Sequence, residues 1–201
     1  MVSLTVGSHS RSPRKHERIK DQGSRSGGGL TESLLIITGT MGAGKTAVLG
    51  EASDILAQRQ IVHAAIDLDA LGLAHLPSAA FSDSVMYDNL RSICGNFAAL
   101  GVRRFLLARA IEDAAQLKLC REIIPAANTV VCRLVASIQA MKRRVRMREL
   151  GISQREYVAR VAKLNPLLDR AQLEDFAVRN EDRPLTEVAI DVLVQAGWIS
   201  T

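Results

Sequence analysis

"LLIITGTMGAGKTAVLGEA", Leu34 to Ala52, is the stretch on which the reading of this chain turns. Its opening, "LLIIT" (34–38), is an apolar run with no polar alternation, as expected of a strand buried on both faces. Its close, from Gly44 to about Arg59, places Val48, Ala52, Ile55 and Leu56 on one side of a helix. Between them Gly39, Thr40, Met41, Gly42, Ala43, Gly44, Lys45 and Thr46 satisfy G-x-x-x-x-G-K-[ST] in full. The glycines let the backbone curl so that successive N–H groups face phosphate oxygens, and the helix N-terminus adds its partial positive charge. Lys45 is then expected to reach the β- and γ-phosphates of ATP, and the Thr46 hydroxyl to sit on Mg²⁺.

The rest of the composition narrows the class. A chain of 201 residues has room for one domain with its own core. No apolar run approaches the ~20 residues of a membrane span, and the start lacks the apolar core of a secretory signal, so a cytoplasmic protein is expected. Residues 1–30 read as a disordered basic tail ending in "SRSGGGL", and 31–201 as the domain. That tail holds six Lys or Arg against Glu17 and Asp21, so nearly all of the net charge of +5 lies there. With few aromatic residues as well, a specific nucleic-acid surface is not expected. Cys94, Cys120 and Cys132 sit singly in apolar segments, which suits reduced, buried thiols.

Beyond the opening stretch, short apolar runs alternate with helical patterns. Strands are expected at 61–66, 103–111, 129–135 and 176–180, with helices over 84–100, 112–124, 137–150, 153–172 and from Leu185 to Ala196. Alternation of this kind argues for a three-layer α/β fold around a parallel sheet.

Three further clusters carry chemistry. In "AIDLDALG", Asp67 and Asp69 follow the second strand at its carboxyl end, where such sheets gather ligands. In extended chain both carboxylates would project to one side, Asp67 toward Mg²⁺ and Asp69 toward the proton of an attacking hydroxyl. An Asp pair also caps turns. The strand expected beside the phosphate loop, "FLLARAI", carries Arg109 in place of an acid, which counts against a motor or switch ATPase. Arg109 either meets an anionic substrate or caps the strand. In "MKRRVRMRELG", Arg144 and Arg148 share one helical face at i, i+4 and are placed to close over the γ-phosphate. Lesser candidates are Tyr87, Asn89 and Arg91 for the acceptor, and Asn180 and Arg183, in "NEDRP", for the base. His63 and His75 read as core or turn residues.

Taken together, "GTMGAGKT", "DLD", "RRVRMRE" and "VRNEDRPLTEVAIDVL" resemble the small P-loop kinases of the nucleoside monophosphate kinase fold. The likeness is to the group of shikimate, gluconate, adenylyl-sulfate and chloramphenicol-phosphotransferase-like kinases, over about 34–198. It implies a five-stranded parallel sheet in the order 2-3-1-4-5 with a helical lid, and a small-molecule or nucleotide kinase that transfers the γ-phosphate of ATP to a small hydroxyl- or phosphate-bearing acceptor. The alternative is an ATP-binding regulatory or accessory protein, which needs neither the Asp pair nor the lid arginines.

Overall fold

The computed structural model describes residues 31–72, 79–151 and 154–200. The basic tail expected over 1–30 and His75 both lie outside them.

Strand β1 (Thr31–Thr38) leads into helix α1 (Lys45–Gln58), then β2 (Ala64–Asp67) and a single-turn helix α2 (Leu68–Leu71). Helix α3 (Ala79–Ala99), β3 (Arg104–Ala108), α4 (Ala114–Ile123) and β4 (Ala126–Val135) follow. The chain closes with α5 (Ile138–Arg148), α6 (Gln154–Ala171), β5 (Phe176–Arg179) and α7 (Leu185–Gln195). The five strands form one sheet in the order β2-β3-β1-β4-β5, every pairing parallel.

Period-two alternation explains why the strands read as unbroken apolar runs. Leu35 and Ile37 of β1, Leu106 and Ala108 of β3, and Cys132 and Leu134 of β4 join one core with α1 and α7. Leu34 and Ile36, Phe105 and Leu107, and Val131 join the opposite core with α3 and α4. Both faces are covered, so neither needs polar residues. The expected stripes also bury: Val48, Ala52, Ile55 and Leu56 on α1, and Val188, Ala189, Val192 and Leu193 on α7.

Element ends depart from the sequence reading for physical reasons. β1 starts at Thr31 because the backbone of Thr31 and Ser33 pairs with Ala126 and Asn128, so polar residues prolong the ladder. β2 is 64–67 rather than 61–66, since it pairs only with β3, from Ala64 opposite Phe105 to Asp67 opposite Ala108. His63, just before it, donates from Nδ1 to the Ile61 carbonyl at 2.8 Å, while Nε2 lies 2.9 Å from Ser53 Oγ. The three cysteines are free and buried, and burial raises the thiol pKa of Cys94 and Cys132 to about 12 and of Cys120 to about 11.

Candidate active site

The phosphate loop lies at the carboxyl ends of β1 and β4, and its glycines are there because neighbours come close. Gly42 has φ +78°, and a Cβ on it would strike the Met141 carbonyl at the start of α5. Gly44, the N-cap of α1, has φ +96°, and a Cβ there would strike Asn180 Nδ2. Both positions therefore exclude side chains twice over, by backbone angle and by space.

The loop's carbonyls are held by donors from other elements. Arg144 donates from one nitrogen to Gly42 O at 3.2 Å and from the other to Asn180 O at 2.8 Å. Asn180 Nδ2 donates to Ala43 O at 2.7 Å in a buried contact. Asn180 thus turns its amide nitrogen into the loop, and Arg144 braces the loop while also lining the cavity above it. Arg183 does not reach the loop: it pairs with Asp191 at 2.7 Å and Glu187 at 3.7 Å on α7.

Lys45 Nζ donates to Thr40 O at 3.4 Å, folding back over the loop. Burial lowers its pKa from the ordinary 10.5, against the pull of Asp69 and Asp67, which raises it. Thr40 is itself buried, and its hydroxyl donates to Asn165 of α6 at 3.3 Å.

The Asp pair is arranged differently from the extended geometry expected. The chain turns into α2 directly after Asp67, whose Oδ1 caps that helix by accepting from Asp69 N at 3.1 Å. Its other oxygen, Oδ2, accepts from Thr46 Oγ1 at 2.6 Å. Asp69 points elsewhere and pairs with Arg109 at 3.1 Å. So the two carboxylates part at the strand end, one to the phosphate loop and one to Arg109.

β3 does run beside β1, with Ala108 opposite Ile37, and no carboxylate follows it until Glu112. Arg109 is held by Asp69, by Asp83 at 3.2 Å and by Met86 Sδ at 2.8 Å, with its guanidinium 6.0 Å from the centre of the Tyr87 ring. Tyr87 is buried beneath it, and burial raises the phenol pKa to about 12. Asn89 donates to Leu71 O at 2.8 Å, and Arg91 is exposed. Tyr87, Asn89 and Arg91 are not among the residues that line the two cavities described next.

Two adjoining cavities open over the loop. The first, about 420 Å³, is bounded by Gly42, Gly44, Lys45, Thr46, Arg144 and Arg148. The second, about 360 Å³, is bounded by Asp83, Arg109, Glu112, Glu149, Tyr157 and Arg160, among others. Met41, Lys45, Asp69 and Arg148 line both. Sequence reading missed Asp83, Glu112, Glu149, Tyr157 and Arg160. No local pattern marks them, because they converge from α3, the β3–α4 connection, the end of α5 and α6.

The residues present fit a nucleotide phosphate and a divalent cation. Close-approach glycines, a lysine at a helix start and a Thr hydroxyl beside a carboxylate are the donor set that phosphate and Mg²⁺ require. Among the described residues no group of three or more His, Cys, Asp or Glu could hold a metal, so the phosphates and water would complete its shell.

Solved structures with the same architecture decide the fold. The gluconokinase of Sinorhizobium meliloti 1021 is 18% identical with a TM-score of 0.54, over 84% of this chain and 93% of that one. The APS kinase of Mycobacterium tuberculosis, in complex with AMPPNP and APS, is 20% identical with a TM-score of 0.55, over 83% and 99%. The shikimate kinase of Bacteroides thetaiotaomicron is 14% identical with a TM-score of 0.58, over 82% and 98%.

The fold is that of the small P-loop kinases.

These matches extend over 93–99% of those chains and 82–84% of this one, so the likeness is to the fold as a whole. No family model matches the chain, and no curated protein matches its sequence. Among the described residues no helix is long and apolar enough to cross a membrane.

Proposed function

We propose that the chain is an ATP-dependent phosphotransferase that moves the γ-phosphate to a hydroxyl of a small acceptor. The observation that carries this reading is the pair of adjoining cavities, which share Lys45, Asp69 and Arg148 at their junction. A nucleotide-binding protein without an acceptor has no use for the second cavity.

In this reading the phosphate loop and Lys45 hold the β- and γ-phosphates in the first cavity. Thr46 and Asp67 hold Mg²⁺, which when bound offsets phosphate charge. The base lies toward the opening between the ends of β4 and β5, lined by Val135, Ser137, Arg179 and Glu181. Asp69 takes the proton of the acceptor hydroxyl as its oxygen bonds the γ-phosphorus. The bond from that phosphorus to the β,γ-bridging oxygen breaks, and ADP departs. Lys45 and Arg148, at the junction, offset the charge that spreads over the transferred group.

The test is ADP release from ATP and Mg²⁺ across a panel of hydroxyl compounds, with Lys45→Ala as control. Acceptor-dependent release that this variant lacks is the expected result. ATP binding without release on any acceptor sinks the reading in favour of a regulatory protein.

A further inference from the structure

The second cavity presents its charges unevenly. On its floor Arg109 is hidden and its partners are not: the Arg109 side chain is 14% exposed, against 63% for Asp69 and 64% for Asp83. Its two terminal nitrogens are both engaged, with Asp69, Asp83 and the Met86 sulfur as partners. An acceptor reaching this floor therefore meets carboxylate oxygens, with the guanidinium behind them.

Elsewhere in the lining the exposed cations are Arg148 and Arg160, each more exposed than its own carboxylate partner. Arg148 also borders the first cavity beside Lys45, so both face the phosphates. Arg160 is bound to Glu112 at 3.0 Å, and Arg148 to Glu149 at 2.8 Å. The acid-exposed part of the cavity is therefore its floor, where Asp69 and Asp83 are open and Arg109 is not.

From this we infer that the acceptor is a neutral or cationic hydroxyl compound, a polyol or an amino alcohol, seated against Asp69 and Asp83. The inference rests on the phosphotransfer reading and names the substrate class for it. Hydroxyl and ammonium groups donate to exposed carboxylates as they stand. A carboxylate or phosphate on the acceptor finds like charge at the floor, and can reach Arg109 only by displacing both of its partners.

The experiment uses charge-matched acceptors on two scaffolds. One set is gluconate, sorbitol and 1-amino-1-deoxysorbitol. The other is 4-(hydroxymethyl)benzoate, 1,4-benzenedimethanol and 4-(aminomethyl)benzyl alcohol. ADP release is measured for each, and calorimetry measures binding to the full chain saturated with a non-hydrolysable ATP analogue. The expected result is a preference of about tenfold or more for the neutral and amine members over the anion of the same scaffold. Asp83→Asn should shrink that ratio, and Glu112→Gln should do the same if the first variant does not fold. Equal or better binding of the anions overturns the inference, as does a ratio unchanged in a folded variant or silence of all six compounds. Failure of the ATP analogue itself to bind sinks the phosphotransfer reading instead, so the two failures are told apart in one titration.

Discussion

Thr46 Oγ1 donates to Asp67 Oδ2 across 2.6 Å, tying the first turn of α1 to the end of β2 two strands away. Arg109 stands at the end of β3, and in the proposed reading Asp67 is the acid that would serve the metal in place of one at that strand's end.

Substitution should separate the two acids by what each one touches. Asp67→Asn keeps the contact with Thr46 but loses the charge, so a higher Mg²⁺ concentration should be needed for half-maximal turnover. Asp69→Asn should keep ATP and Mg²⁺ binding and lose about 10²–10⁴-fold in turnover, the usual cost of losing a general base. Acceptor-dependent ADP release across a Mg²⁺ titration reads both. Wild-type turnover in Asp69→Asn removes the base from the mechanism.

Asn180→Ala should destabilise the loop rather than alter which base is bound. It strands the Ala43 carbonyl in a buried place, at a cost of about 1–3 kcal/mol. Thermal unfolding should register about 2–4 °C for each kcal/mol in a chain of this size. The ratio of ATP to GTP affinity is the companion measurement; a change in that ratio at constant Tm would place Asn180 at the base site.

The two arginines of α5 should behave unlike each other. Arg144 bridges Gly42 O and Asn180 O, so Arg144→Ala should weaken nucleotide binding and lower Tm together. Arg148 is exposed and, among the described residues, pairs with its neighbour Glu149, so Arg148→Ala should leave Tm in place and lower turnover more than ATP affinity. Calorimetry and steady-state kinetics on both variants check this, and equal effects would contradict the division of labour.

Alkaline pH should destabilise the fold through its thiols. Burial raises Cys94 and Cys132 to about 12 and Cys120 to about 11, from an ordinary 9.0. Between about pH 9 and 11–12 the folded chain therefore holds protons that the unfolded chain has lost, and stability falls as pH rises through that window. Denaturant titrations at pH 8 and pH 10 should show the fall, and a triple Cys→Ser chain should lose most of this slope. Thiol reagents at pH 8 should label the native protein slowly.

Much of this was legible in the sequence. The run before Gly39 and the motif from Gly39 to Thr46 state the first strand, the loop and the first helix, because one local pattern fixes each. Asp67 and Asp69 were visible as acids at a strand end, but their directions were not. The turn into α2 begins at Leu68, before the extended chain expected through Asp69 can form, and Asp67 as its N-cap was the signal available. Asn180 was noticed, but nothing near it in sequence shows that Ala43 lies against it. Glu112 and Arg160 meet across a separation of 48 residues, and such pairs leave no trace in local periodicity.

Four carbonyl oxygens of the phosphate loop already have donors. Thr40 O accepts from Ala43 N and Lys45 Nζ, Gly42 O from Arg144, Ala43 O from Asn180, and Gly44 O from Val48 N. With those oxygens engaged, a negative group entering the loop would be expected to meet less repulsion from them. A site that held only phosphate oxygens would be expected to take free phosphate and pyrophosphate as competitors as well. Choosing a nucleotide among them falls to the residues that surround the loop, and it is there that variants with altered donor preference should be sought.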